Sequence, residues 1–261
     1  MRRRIILIMA MLALLAAALA VKLVCYPTVK DAYFAMNQSS LQQAPGGLVI
    51  IRPTHFSLSI FRRGVVDTPA PGNRRTASRI MGRDVSLRDI IAVAWQVEPA
   101  RVVMPPGAPT NNFDFIVTVN EPLKRLRNVI RSKFGYTADK ENHETDVLAL
   151  KVENPALPGV TVSAAGEKED ANVKNGRLYL THMQFKELSR GFEQVLKAPV
   201  VDKTGLTNYY DFSLAWNTQF MRQLNNESNA RFAVDKVLDD WGLGLEPDTA
   251  PMEMLVVKTV P

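Results

Sequence analysis

The chain has 261 residues and a mass of 29.1 kDa, enough for one large domain or two small ones. Hydrophobic residues make up 46% and charged residues 22%, which excludes a collagen-like, wholly disordered or polytopic membrane protein. The net charge is +6, but the first twenty residues hold three arginines and no acid, leaving 29 basic against 26 acidic residues. This balance does not indicate a nucleic-acid partner, which would need a clustered basic face.

The N-terminus carries a targeting signal. Three arginines at residues 2–4 precede an unbroken apolar run at residues 5–21, a pattern typical of an export signal or a membrane anchor. The run is long for a cleaved signal and reaches the lower limit of a spanning helix, although Ala18-Leu19-Ala20 offers a cleavage site. We expect residues 1–25 to be a signal peptide or an anchor, with the anchor favoured by length. The remainder is then exported to the periplasm or cell envelope, held at the inner membrane by residues 5–21.

The rest of the chain divides at loose segments. Residues 26–53 are predicted to be a linker, because they include a polar stretch without periodicity that ends in Pro45-Gly46-Gly47. Residues 68–76 and 164–176 are also loose, and the second stretch divides the body into two predicted α+β halves, residues 54–154 and 155–261. These halves carry net charges of +4 and −3, which fits two differently charged solvated surfaces or docking of one half on the other or on a partner.

Four amphipathic helices are predicted in the body. Ser86 and Asp89 form a capping box at the start of the first helix, whose apolar residues recur on one face. The same periodicity predicts the other three helices, at residues 121–134, 184–197 and 229–241. Gly135 and Gly242 follow two of the helices and suit the left-handed position that ends a helix. Four aromatic residues that end or line the apolar stripes are predicted to be buried: Trp95, Phe134, Phe192 and Trp241.

Strands are predicted between the helices. Alternation and aromatic or β-branched content indicate strands at residues 56–61, 113–119 and 209–216. Short apolar or extended segments are predicted at residues 101–104, 147–152, 200–202 and 254–260.

The two halves also match in order and spacing. Residues 87–90 resemble residues 185–188 at an offset of 98, and residues 113–115 resemble residues 210–212 at an offset of 97. The ends of the second and fourth helices match at an offset of 107. Colinear matches of this kind indicate duplication, with chance agreement of amphipathic patterns as the alternative. The predicted fold is α+β, with duplicated βαββαββ halves whose helices pack on mixed or antiparallel sheets after an N-terminal apolar helix.

Several blocks resemble the "Soli" family of exported bacterial proteins, which is defined by a domain of unknown function. The matching blocks are residues 86–95, 131–135, 198–216 and 243–257. The family's usual Gly-Pro-Asp-Trp is replaced here by Met104-Pro105-Pro106-Gly107, which puts any binding by that loop in doubt. The resemblance implies export and this domain, and it supplies no activity. At the level of fold, the repeated unit is similar to the short N-terminal domains of secretins and TonB-dependent receptors, which are periplasmic protein-binding modules.

Common catalytic and metal motifs do not occur in this sequence, which has no Gly-x-Ser-x-Gly elbow, phosphate-binding loop or His-Glu-x-x-His. Cys25, beside the leader, is the only cysteine, so the body has no disulfide and no thiolate metal site. None of the three histidines, His55, His143 and His182, stands in a metal-ligand spacing with another, and we expect a cap or surface role for His182 rather than catalysis. His143 lies near Glu144 and Asp146, but zinc usually takes several His or Cys ligands, and a solvated polar strand is the simpler interpretation. We therefore expect no cofactor and no metal.

Asp202, Lys203 and Thr204 form the strongest candidate binding site, because a carboxylate, an amine and a hydroxyl meet at one turn that ends in Gly205. The alternative is structural: Asp202 bonds backbone amides and Gly205 supplies a positive φ. Asp114 and Asp211, at matching strand positions, could form a catalytic pair if they faced one cleft, or they could be edge or turn residues.

Basic side chains could meet anionic lipid headgroups beside the anchor, or simply be solvated. They are Arg74, Arg75, Arg79, Arg83, Lys124, Arg127 and Arg131.

The sequence predicts a well-packed fold and contains no recognisable set of catalytic residues. This combination favours a non-enzymatic binding or adaptor module of the cell envelope. Its predicted partners are the membrane, through the N-terminal helix, and an envelope protein. The alternative is an exported hydrolase-type enzyme that uses a carboxylate site.

Overall fold

A computed structural model describes residues 34, 38–54, 64–70, 73–215, 220 and 227–260. The predicted leader, His55 and the predicted strand at residues 56–61 lie outside these residues. Within the described part of the chain, no helix has both the length and the apolar character needed to cross a membrane.

Four helices of the described residues follow the predicted bounds to within a few residues, and a fifth, Gln38–Gln43, lies in the predicted linker. They are α1 Gln38–Gln43, α2 Leu87–Trp95, α3 Pro122–Phe134, α4 Phe185–Leu196 and α5 Glu227–Trp241, with a 3-10 turn at Pro99–Arg101. The strands alternate with them. They are β1 Val49–Pro53, β2 Gly64–Ala70, β3 Asn73–Ser86, β4 Val102–Val103, β5 Asn112–Val117, β6 Tyr136–Val152, β7 Val160–Val162, β8 Asp170–Lys174, β9 Arg177–Met183, β10 Val200–Asp202, β11 Tyr210–Ala215 and β12 Leu243–Thr259.

Three four-stranded sheets make this a mixed α+β fold. Sheet 1 has the strand order β1-β5-β3-β2 and sheet 3 has the order β7-β11-β9-β8, and both are antiparallel throughout. Sheet 2 has the order β10-β6-β12-β4, with an antiparallel centre and a parallel strand at each edge. The chain forms two compact units, and it passes between them after residues 95, 106 and 135. Sheet 1 with α1, α2 and α3 belongs to unit 1, and sheets 2 and 3 with α4 and α5 belong to unit 2.

Unit 1 is built around α2 and β5. The predicted capping box is present at the start of α2, since the Ser86 amide donates to Asp89 Oδ2 at 3.0 Å and the Asp89 amide donates to Ser86 Oγ at 3.1 Å. This box satisfies amides that would otherwise lack partners at a helix start. Leu87, Ile90 and Ile91 on the apolar face of α2 are buried, as the periodicity predicts.

Part of the predicted linker is folded onto unit 1. Leu41 of α1 and the nearby Phe34 are fully buried in a small cluster that includes Met81. Arg79 donates to the carbonyls of Leu41, at 3.0 Å, and Ala44, at 2.5 Å, at the end of α1. The expectation of irregular structure is therefore wrong for residues 38–43, because buried apolar contacts and a guanidinium cap stabilise a short helix. Arg79 is therefore not simply solvated, and contact of the basic side chains with lipid stays a prediction.

The core of unit 2 packs α4 and α5 against sheets 2 and 3. Phe185 of α4 contacts Phe212 of β11 edge-on at 5.4 Å, and Phe212 also contacts the Trp241 ring at 5.0 Å. Trp241 is buried and its indole N–H donates to the Ser213 carbonyl at 3.1 Å. Trp241 is the largest fully buried side chain among the described residues, and these contacts hold it in the core.

The predicted burial of four aromatic residues is only half right. Phe192 and Trp241 are buried, whereas Trp95 and Phe134 are partly exposed. Phe134 packs edge-on against Phe113 at 5.2 Å, and Trp95 lies 5.9 Å from the Arg127 guanidinium. These two rings end their helices, where the apolar stripe meets solvent, and the cation covers one of them.

Two strands are much longer than predicted. β6 and β12 have 17 residues each and pair along their whole length, whereas the sequence predicts only their apolar ends. Cross-strand ion pairs hold the polar parts, as between Lys140 and Glu253 at 2.6 Å and between Lys151 and Glu246 at 2.6 Å. The predicted loose stretches also contain β8 and parts of β2 and β3, because backbone pairing imposes strand structure on polar sequence.

Candidate functional site

The predicted Asp202 turn, residues 202–205, forms at the end of β10. Asp202 Oδ1 accepts hydrogen bonds from the Thr204 amide at 3.0 Å and the Thr204 hydroxyl at 2.7 Å. The Thr204 hydroxyl oxygen also accepts from the Leu206 amide at 3.2 Å. Gly205 has a φ of +72°, the left-handed conformation that favours glycine. Both side chains at the centre of the predicted site are thus engaged in the turn itself.

Lys203 follows β10 and binds β12, which lies two strands away in sheet 2. Its Nζ donates to Asp248 Oδ2 of β12 at 2.8 Å. This hydrogen bond and that from the Thr249 amide lower the pKa of the Asp248 carboxyl below its ordinary value. Because both groups are partly exposed, the pair fixes β10 to β12 only weakly.

Asp211 in unit 2 ties together three strands of sheet 3. Its Oδ1 accepts from the Ser163 hydroxyl at 2.5 Å and from the His182 amide at 2.9 Å. His182 lies in a bulge of β9, where the pairing with β11 shifts register, and its φ is +57°. The carboxylate therefore supplies a hydrogen-bond partner to an amide that the bulge removes from the ladder.

Asp114 in unit 1 has the corresponding contacts in sheet 1. Its Oδ1 accepts from the Thr54 hydroxyl at 2.9 Å and from the Asp84 amide at 3.1 Å, and Arg52 lies 3.4 Å from its Oδ2. Asp84 again lies in a bulge and has a φ of +52°. Asp114 is 2% exposed, so a buried carboxylate is here fully used in holding three strands together.

The histidines do not assemble a metal or catalytic centre in the described part of the chain. His143 Nε2 lies 3.2 Å from Glu141 Oε2 on β6, and both side chains are exposed. His182 stacks on Tyr209 with ring centroids 3.9 Å apart. Among the described residues, no group of three or more His, Cys, Asp or Glu side chains is arranged to hold a metal ion.

A cavity of about 530 Å3 lies in unit 2 between α5 and the end of β11. We call it the β11 cleft. It is lined by Pro158, Gly159, Arg177, Ser213, Leu214, Ala215, Phe220, Phe232, Ala233, Lys236, Val237, Asp240 and Trp241. Its volume is in the range of ligand sites, and its wall contains backbone as well as side chains.

Phe232 is the most unusual residue of the β11 cleft. It lies on α5 and is 66% exposed, the largest exposed fraction among the large hydrophobic residues described. A single exposed hydrophobic residue is common on protein surfaces, so Phe232 is informative because it also lines a cavity. Lys236 and Asp240 extend from the same helix, one and two turns farther along, and both are exposed.

Arg177 lies on the opposite wall of the β11 cleft. Its Nη2 donates to Ser213 Oγ at 3.0 Å. The Ser213 carbonyl accepts from the Trp241 indole and, at 3.4 Å, from Arg177. A carbonyl of β11 is thus bound by two side chains rather than by a neighbouring strand.

A buried ion pair braces another part of unit 2. Glu193 of α4 is 1% exposed, and its carboxylate accepts from Arg101 Nε at 3.0 Å and Arg101 Nη2 at 2.9 Å. Glu193 Oε1 also accepts from the Val200 amide at 3.1 Å. This bidentate pair links α4 to the segments that lead into β4 and β10, the two edges of sheet 2.

A family model described as "Protein of unknown function (DUF3738)" matches residues 88–260, more than half of the chain. The chain belongs to this family. The match agrees with the predicted domain of unknown function, whereas the "Soli" name and the likeness to secretin and TonB-dependent receptor domains stay predictions. No curated protein matches the chain, and no solved structure does.

Two features of this DUF3738 domain were not predicted from the sequence, although each left a signal there. Phe232 falls outside the apolar stripe of α5, which marks an aromatic side chain on the solvent side. Glu193 directly follows the buried Phe192 on the inner side of α4. This position indicates an acidic side chain that is buried and therefore needs a partner. The position of the β11 cleft itself depends on where β7 ends, which periodicity does not reveal.

Proposed function

We propose that this chain is a non-enzymatic binding module of the bacterial cell envelope, exported by its N-terminal segment and held at the inner membrane by residues 5–21. The basic stub and the apolar run support export and anchoring. Membership of a family of unknown function is compatible with this role and names no reaction.

The single observation that carries the proposal is the exposed aromatic wall of the β11 cleft. Phe232 contributes a large apolar surface beside a cavity of about 530 Å3, with charged side chains at its rim. Aromatic anchors next to a concave surface dominate the energetics of many binding sites. A binding role explains why this ring is not packed into the core.

The candidate carboxylates support the same view. Asp202, Asp114 and Asp211 each accept hydrogen bonds from a hydroxyl and a backbone amide of their own turn or sheet. Acceptors used in this way stabilise backbone that would otherwise lack partners. At least one carboxylate oxygen of each of these residues therefore holds its own turn or sheet, which supports a structural role.

We also infer that the two halves of the chain are repeats. The orders of sheets 1 and 3 match strand for strand, and Asp114 and Asp211 have the same contacts at an offset of 97 residues. In sheet 2, Val102 pairs with Leu255 as Val200 pairs with Leu148, and these pairs are related by the offsets of 98 and 107. Each half thus contributes one long and one short strand to a sheet with internal two-fold pairing.

A paired assay tests the proposed function. The full chain and its Phe232→Ala variant are used in parallel to capture proteins from detergent-solubilised envelopes, and both are screened against a broad panel of hydrolase substrates. The proposal predicts a specific partner that the variant loses, and no turnover. Turnover that disappears in Asp202→Ala, with no captured partner, would favour the hydrolase alternative instead.

A further inference from the structure

Among the described residues, the β11 cleft exposes an incomplete strand edge. β7 pairs with β11 only from Tyr210 to Phe212, whereas β11 continues to Ala215. The Ser163 amide donates to the Tyr209 carbonyl at 3.0 Å, so alternation along an antiparallel strand directs the amide groups of every second residue toward β7. Residues 213 and 215 therefore direct their backbone groups to the side that β7 does not reach. The Ser213 carbonyl on that side accepts from the Trp241 indole at 3.1 Å and from Arg177 at 3.4 Å. The Ser213 amide and both backbone groups of Ala215 are therefore the part of the edge that a partner strand would pair with.

Unit 1 contains the corresponding edge in a filled state. There β1 pairs with β5 over its whole length, with Val49 opposite Val117 and Ile50 opposite Ile116. One residue farther, the Thr118 amide donates to the Leu48 carbonyl at 2.9 Å. Thr118 precedes Ala215 by the offset of 97 residues that relates the two strands. In unit 1, this edge is therefore paired with an extended, antiparallel segment that includes apolar, β-branched residues.

Local packing in unit 2 prevents the chain's own β7 from filling the edge. A Cβ at Gly159 would lie 2.5 Å from Cδ1 of Trp241 and 2.7 Å from the Asp240 carbonyl oxygen. The chain before β7 thus lies tightly against α5, and the following residue, Val160, is the first that pairs with β11. The open edge is set by residues of the folded unit.

We propose that the β11 cleft binds an extended polypeptide segment of a partner protein, which adds to β11 as an antiparallel strand and packs an apolar side chain against Phe232. Backbone hydrogen bonds to the open edge supply affinity, and the apolar wall of α5 supplies selectivity, as in other cases of strand addition. Two basic side chains, Lys236 and Arg177, line the cleft against one acidic side chain, Asp240, and this balance favours a segment with an acidic residue next to the apolar one. This inference rests on the proposed binding function and names the class of partner.

Peptide selection tests the inference. Short random peptides displayed on phage are selected against the full chain in detergent, and the best binder is synthesised. We expect alternating apolar, β-branched residues in the selected peptides, and binding that is weakened about tenfold or more by Phe232→Ala. Tyr179→Ala, which removes an aromatic residue of β9 that is 40% exposed and does not line the cleft, is the matched control and should leave affinity unchanged.

Backbone methylation distinguishes strand addition from side-chain binding. Two versions of the peptide carry N-methyl groups on alternate amides, so that only one version blocks the amides that face β11. We expect that version to bind about tenfold more weakly, with the other unchanged. Equal affinity of the two versions would overturn strand addition. It would also be overturned if no peptide were selected and a small organic molecule bound in the cleft instead. A captured partner that is lost with Phe232→Ala, together with equal affinity of the two peptide versions, would overturn strand addition and leave the binding function intact. Turnover without a partner would overturn both.

Discussion

Replacing Glu193 with alanine tests the packing of unit 2. The side chain is 1% exposed and accepts hydrogen bonds from Arg101 and from the Val200 amide. The Glu193→Ala variant leaves a partly buried guanidinium and a buried amide without partners, and it removes the link from α4 to both edges of sheet 2. Breaking a buried ion pair on one side costs about 3–5 kcal/mol, because the remaining charge loses its compensation.

Urea denaturation of the full chain in detergent, followed by tryptophan fluorescence, measures the free energy of unfolding. Glu121→Ala is the control, since it breaks an exposed pair with Lys124 on α3 and should cost no more than about 1 kcal/mol. Combining Glu193→Met with Arg101→Leu should recover most of the loss, because it removes both charges. A Glu193→Ala cost equal to that of the control would refute the assignment of this pair as a structural brace.

Four further predictions concern the same unit. Trp241→Ala should lower the free energy of unfolding by about 3–5 kcal/mol, measured by urea denaturation, because it leaves a cavity in the core beside β11. Gly205→Val should lower it by about 1–2 kcal/mol in the same assay, because the φ of +72° at this position is strained for a residue with a side chain. Asp202→Ala should lower the free energy of unfolding by about 1–2 kcal/mol in that assay, and Asp202→Asn should lower it less because an oxygen acceptor remains. An Asp202 variant that keeps its stability but loses a ligand would make the turn a functional site. The hydrogen bond from Lys203 lowers the pKa of Asp248, so its stabilisation is present above the ordinary value of 3.8 and is lost as pH falls through the lower folded pKa. Asp248→Asn should therefore have a lower urea midpoint than the parent near pH 7, and this difference should shrink as pH falls through the lowered pKa of Asp248.

The helices were predictable because apolar periodicity and end signals agree. Ser86 and Asp89 mark the start of α2, and Gly135, with a φ of +70°, marks the end of α3. The long strands β6 and β12 were not predictable in full, because their middle parts are polar and paired through backbone and ion pairs. A strand that does not bury one face leaves no alternation of apolar residues in the sequence.

The candidate site was predictable only at the level of single turns. Asp202 and Gly205 were assigned correct local roles as the structural alternative, since both depend on neighbours in the chain. The β11 cleft depends on the length of β7 and on the approach of Gly159 to Trp241, which are tertiary features. Short-range patterns record an exposed Phe232, but they do not record which strand edge lies beside it.

Hydrogen–deuterium exchange of the full chain, with and without the selected peptide, tests the binding role of the β11 cleft most directly. Strand addition forms new backbone hydrogen bonds, so exchange should slow at the amides of residues 213 and 215, and amides of the exposed edge strand β8 should exchange as before. Protection at β8 or at another surface, with residues 213 and 215 unchanged, would contradict the account.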